Sequence, residues 1–175
     1  MKIENKVTLY NLLLPLWMIV YWPYWHWLVL IPANYLLDRV VLRWSLGDMP
    51  EKGRFCRRNT WKICLAGFFA DGIGMAVLFA VFMLSAFLEE TPVSDVFQDI
   101  AYSIGYNPFS DIVGFLIVAA AVLTAMLIIY ALDKWILKRA GLDPEQAKKS
   151  AKRLALITAP YLFFFPSAVL YSGGI

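Results

Sequence analysis

The stretch Lys52-Gly53-Arg54-Phe55-Cys56-Arg57-Arg58-Asn59-Thr60-Trp61-Lys62 places five basic residues in eleven positions and runs directly into residues 63–88, where Asp71 is the only charge. A basic segment abutting an apolar run of bilayer length reads as a helix entering a membrane from the cytoplasm, because Lys and Arg are retained on that side. Working outward, Lys2 and Lys6 precede the first apolar run, Arg39 and Arg43 close the second, and seven more basic residues fall between Lys134 and Arg153. One threading puts all 16 Lys and Arg on the same side. It predicts an all-α integral membrane protein with five transmembrane helices, a cytoplasmic N-terminus and an external C-terminus, several spans being Pro-kinked. The spans fall at about 7–22, 25–44, 61–88, 112–132 and 154–171, within a single transmembrane domain over 1–175. A multi-pass protein of a plasma membrane, the bacterial inner membrane, is expected.

Composition agrees. The 175 residues are 61% hydrophobic and 16% aromatic, with a mean hydropathy of +0.62, which leaves no room for a soluble domain beside the spans. The net charge of +3 sits in short loops flanking helices, where anionic lipid headgroups of the bilayer are the expected partner and nucleic acid is not. Cys56 and Cys64 fall on or near the reducing side, so free thiols are expected. The N-terminal apolar run ends in Tyr21-Trp22-Pro23-Tyr24-Trp25-His26-Trp27 with no small-residue cleavage site, and is expected to be retained.

A continuous helix over spans 1 and 2 would be about 57 Å long, nearly twice the ~30 Å hydrocarbon core, so the chain turns at Pro23. The aromatic residues there place the turn at the outer interface, with His26 interfacial and unable to make a zinc site alone. The alternative is a span 1 that lies in the interface. The acidic loop from Glu89 to Asp111 has no cation, and Phe97, Ile100, Ala101 and Ile104 recur in it at helical spacing, predicting a short amphipathic helix on the outer surface. Asp133 to Arg153 reads as a cytoplasmic hairpin in which Gly141 stops one helix and Asp143-Pro144-Glu145 caps the next.

Depth follows from the tryptophans at the inner ends of the spans. Asp71 lies ten residues beyond Trp61 and Asn34 ten before Trp44, so both sit about 15 Å deep, near the midplane. A carboxylate there costs about 2.5–3.5 kcal/mol and is normally turned inward, paired or protonated. Arg39, one turn nearer the cytoplasm, is a possible partner for it. Asp38 shares a face of span 2 with Asn34. Pro15, Pro32, Pro160 and Pro166 would free the carbonyls of Asn11, Leu28, Leu156 and Leu162, which can coordinate a cation or be satisfied by nearby hydroxyls such as Thr158 and Tyr161. Ala66, Ala70 and Gly74 form a small-residue ridge beside Asp71, and Ala121 with Ala125 form another, as close helix approach requires.

The predicted binding residues are therefore Asp71, Asn34, Asp38, Arg39, Thr158 and Tyr161, with no catalytic residue, metal ligand or cofactor expected. Walker, Rossmann and Cys-His zinc patterns are missing. The acidic residues that a CDP-alcohol phosphotransferase motif needs after Asp71-Gly72 are absent, and Asp38 and Asp71 lack the motifs that surround intramembrane aspartyl protease sites. The expected function is transport of a proton, cation or small solute with an intramembrane carboxylate, in a homo-oligomer or with a partner membrane subunit. The alternative is a non-enzymatic interaction or assembly subunit of a larger complex, and a lipid-modifying enzyme ranks third.

Overall fold

The computed structural model describes residues 25–88 and 91–167. They form five α-helices, α1 (Trp25–Ser45), α2 (Lys52–Phe87), α3 (Ser94–Tyr106), α4 (Ile112–Arg139) and α5 (Pro144–Thr158), then a 3₁₀ turn at Tyr161–Phe164, and among them there is no strand. The all-α expectation is met. Span 1, Pro15, Lys2, Lys6, the turn at Pro23 and the end of the fifth span lie outside the described residues.

Two helices are long and apolar enough to cross a membrane, α2 with 36 residues and α4 with 28. At 1.5 Å per residue they measure about 54 and 42 Å, more than a ~30 Å hydrocarbon core. Large apolar side chains on them face outward, Leu65 being 58%, Phe69 62% and Leu127 67% exposed, an arrangement that suits lipid better than water. Helix α1 matches the second expected span in extent, but Asp38, Arg39 and Arg43 interrupt its apolar sequence.

Three boundaries differ from expectation. Helix α2 begins nine residues before Trp61, so Arg54, Arg57 and Arg58 are helical and the preceding loop is short. Helix α4 continues about two turns past Leu132, because Ile129, Asp133 and Leu137 keep one buried face going through the basic residues. The expected fifth span, 154–171, is not one helix. Helix α5 starts at Pro144 and stops at Thr158, since Pro160 pushes Ala159 to extended dihedrals (φ −58°, ψ 152°) and cannot donate to the helix.

The described chain forms two compact units. The first comprises residues 25–76 and 120–163. Here α1 packs on α5, and Val41, Leu42, Leu46, Ile63, Leu137 and Leu154 share a core with Ala147 and Ala151 of α5. The α4–α5 turn is closed as its residues predict. Gly141 adopts φ +92°, its N–H donates to the Lys138 carbonyl (3.1 Å), and the Leu142 N–H donates to the Leu137 carbonyl (3.1 Å). This pairing satisfies carbonyls that the helix end leaves open. Asp143 then accepts from the N–H groups of Glu145 (3.0 Å) and Gln146 (3.3 Å), with Pro144 in the first turn. The small-residue ridges meet within the chain. A Cβ on Gly74 would lie 2.9 Å from Phe163, 3.2 Å from the Ala121 carbonyl and 3.3 Å from the Ala125 Cβ, so only glycine lets α2 approach α4 this closely.

The second unit comprises residues 77–119 and 164–167. Helix α3 forms where the amphipathic helix is expected and buries Ala101 and Ile104, with Phe97 and Ile100 half-buried on the same stripe. The rings of Phe109, Phe115 and Phe164 pack together at centroid distances of 5.4–6.2 Å. Gly114 leaves room for the Ser103 hydroxyl, and its N–H donates to the Asp111 carboxylate (2.7 Å), which caps α4.

Candidate functional site

Three acids on three helices lie within the first unit. Asp38 on α1 is 6% exposed, Asp133 on α4 is fully buried, and Asp71 on α2 is half-buried. Asp38 lies within electrostatic range of both Asp71 and Asp133, and the buried Cys64 thiol lies within hydrogen-bonding reach of Asp38. Three helices thus contribute one acid each.

These acids are held in place from outside. The Gln146 side-chain amide donates to the Ser45 carbonyl (2.7 Å), tying the start of α5 to the end of α1. The Arg153 guanidinium stacks 4.3 Å above the Trp44 ring, a second tie between the same helices. Ala70, Ile129 and Ala155 form a small apolar cluster joining α2, α4 and α5. Position along each helix then does the rest, because Asp133 follows Ala125 and Ile129 at four-residue spacing on the buried face of α4.

The carboxyl oxygens are poorly satisfied. Both oxygens of Asp133 and Oδ1 of Asp71 are buried without a hydrogen-bond partner among the described residues. A buried polar group left in this way costs about 1–3 kcal/mol, so its retention calls for a reason other than stability. By contrast, the buried hydroxyl and amide groups nearby are bonded. Thr60 donates to the Cys56 carbonyl (2.7 Å), Asn59 to the Phe55 carbonyl (2.9 Å) and Ser45 to the Leu42 carbonyl (2.8 Å).

The other predicted site residues separate from the acids. Asn34 is half-buried one turn before Asp38 on α1. Arg39 is half-buried and does not pair with Asp71, since the one ion pair among the described residues is Arg54–Glu51 at 3.0 Å. Tyr161 donates its hydroxyl to the Leu156 carbonyl (2.6 Å), the group that Pro160 frees, and Thr158 donates to the Leu154 carbonyl (3.0 Å). Of the two expected fates of the Leu156 carbonyl, satisfaction by a nearby hydroxyl is the one observed.

Asp133 is the residue that sequence reasoning missed. Lys134, Lys138 and Arg139 make its surroundings read as a loop, yet the spacing Ala125, Ile129, Asp133, Leu137 continues the apolar stripe of α4 and could have found it. No three His, Cys, Asp or Glu side chains among the described residues converge closely enough to hold a metal ion. Separated acids on three helices are suited instead to holding protons and handing them on, directly or through water. Comparison of the chain with protein-family models, with curated proteins and with solved structures finds no match to any of them.

Proposed function

We propose that the chain is a five-span, multi-pass protein of a plasma membrane, with a cytoplasmic N-terminus and an external C-terminus, that transports protons or couples a small solute to them. Asp71, Asp38 and Asp133 are the groups that carry the proton. The observation behind this reading is the set of buried carboxyl oxygens without partners among the described residues. Acids that served only to pin helices together, as in an assembly subunit, would be bonded to the helices they join, whereas these oxygens have no partner among the described residues. Five helices barely enclose a path, so a second copy or a partner subunit completes it in this proposal.

The test is proton flux into liposomes that contain the purified chain and a trapped pH-sensitive dye. Wild type should acidify the interior when a potential is imposed. Asp71→Asn keeps size and hydrogen bonding but cannot ionise, and should return flux to the level of protein-free liposomes with the fold intact. Normal flux in a folded Asp71→Asn protein would remove Asp71 from the path.

A further inference from the structure

A cavity of about 510 Å³ opens where the α1–α2 loop, the first turns of α2 and the end of α4 meet. Its charged lining is one-sided. Arg54, Arg58 and Lys62 stand at four-residue spacing on α2, covering about 12 Å, and Arg139 faces the same space from the last turn of α4. Against these four cations stands Glu51 alone, bound to Arg54 at 3.0 Å, which leaves Arg58, Lys62 and Arg139 without an acidic partner among the described residues. Met49, Phe55 and Ala140 are apolar members of the lining.

Two of the cations rest on tryptophan rings. The Lys62 ammonium lies 5.8 Å from the Trp61 ring centre, and the Arg139 guanidinium 4.6 Å from that of Trp135. Both rings are exposed, as residues that settle at headgroup level are. Immediately beyond the cations, Trp61, Leu65 and Phe69 form an exposed apolar stripe at four-residue spacing along α2. Positive charge that passes into an apolar stripe on one helix matches a ligand with an anionic head and a hydrocarbon tail.

We propose that this cavity binds the phosphate of an anionic phospholipid, with the acyl chains running along Trp61, Leu65 and Phe69. The inference rests on the membrane reading and is independent of transport, because its test measures lipid retention and not flux. Arg58, Lys62 and Arg139 would take the phosphate oxygens by charge-assisted hydrogen bonds.

Native mass spectrometry of the full chain in a neutral detergent tests the proposal, with phosphatidylglycerol and phosphatidylcholine of identical acyl chains as probes. Wild type should retain phosphatidylglycerol about tenfold or more over phosphatidylcholine, and the ratio should fall as salt is raised. The Arg58→Gln/Lys62→Gln variant should lose that ratio with its helix content unchanged, whereas Lys148→Gln/Lys149→Gln, which lies outside the cavity, should keep it. Equal retention of the two lipids by wild type, or a full ratio in the Arg58→Gln/Lys62→Gln variant, would overturn the assignment. Displacement of phosphatidylglycerol by millimolar inorganic phosphate would overturn the lipid as the ligand and leave a soluble phosphate in its place. Should the double variant fail to fold, a salt-independent ratio in wild type overturns the proposal by itself.

Discussion

The two compact units bury polar side chains in opposite ways. Among the described residues of the unit that spans 77–119 and 164–167, each buried polar side chain is a serine with a partner. Ser85 donates to the Phe82 carbonyl (2.8 Å), Ser103 to that of Ile100 (3.0 Å) and Ser167 to that of Gly105 (2.8 Å). Its acids Asp95 and Asp99 are exposed, and Asp111 caps a helix. In the other unit the hydroxyls are satisfied just as well, yet three acids share the interior and three of their oxygens have no described partner. One unit uses buried polarity to fix helix ends. The other retains polarity that its packing does not use, and such groups concentrate at sites of proton or ion movement.

The largest change in stability should come from Gly74→Leu. New side-chain atoms would enter a contact already at 2.9–3.3 Å, and overpacking of this kind costs about 1–3 kcal/mol. Thermal denaturation in detergent should fall while the oligomeric mass stays unchanged, because the contact lies within one chain. An unaltered melting temperature would mean that the acids are not held by close packing of α2 on α4. A smaller pair of effects sharpens the contrast between the units. Ser167→Ala should lower stability by about 1 kcal/mol, since it deletes a satisfied bond that leaves the Gly105 carbonyl without this donor. Asp133→Ala should match wild type or exceed it by up to about 1 kcal/mol, since the carboxyl it deletes has no described partner. A loss in Asp133→Ala as large as that in Ser167→Ala would place Asp133 among the structural residues.

Local chemistry made much of the fold legible. Gly141 and Asp143-Pro144 mark a helix end and a helix start whatever surrounds them, and the apolar spacing of Ile100, Ala101 and Ile104 was enough to find α3. Asp38 and Asp71 stood out as charges within apolar sequence. Features that depend on more distant contacts were hidden. Asp133 looked like the start of a basic loop because Lys134, Lys138 and Arg139 follow it closely, whereas the stripe of Ala125, Ile129, Asp133 and Leu137 packs inward and continues the helix. The carbonyl freed by Pro160 looked open until the chain bent and brought the Tyr161 hydroxyl back to it. The side chain of Arg39 is long enough to reach Asp71, yet the two form no ion pair.

Proton flux in liposomes carrying Asp133→Asn, measured beside Ser167→Ala and wild type at equal protein content, tests the central claim most directly. An acid buried only by the accident of packing can become an amide without consequence, whereas one that passes protons cannot. Flux should vanish in Asp133→Asn and persist in Ser167→Ala, although the serine variant is the less stable of the two. Wild-type flux through a folded Asp133→Asn protein would contradict the account.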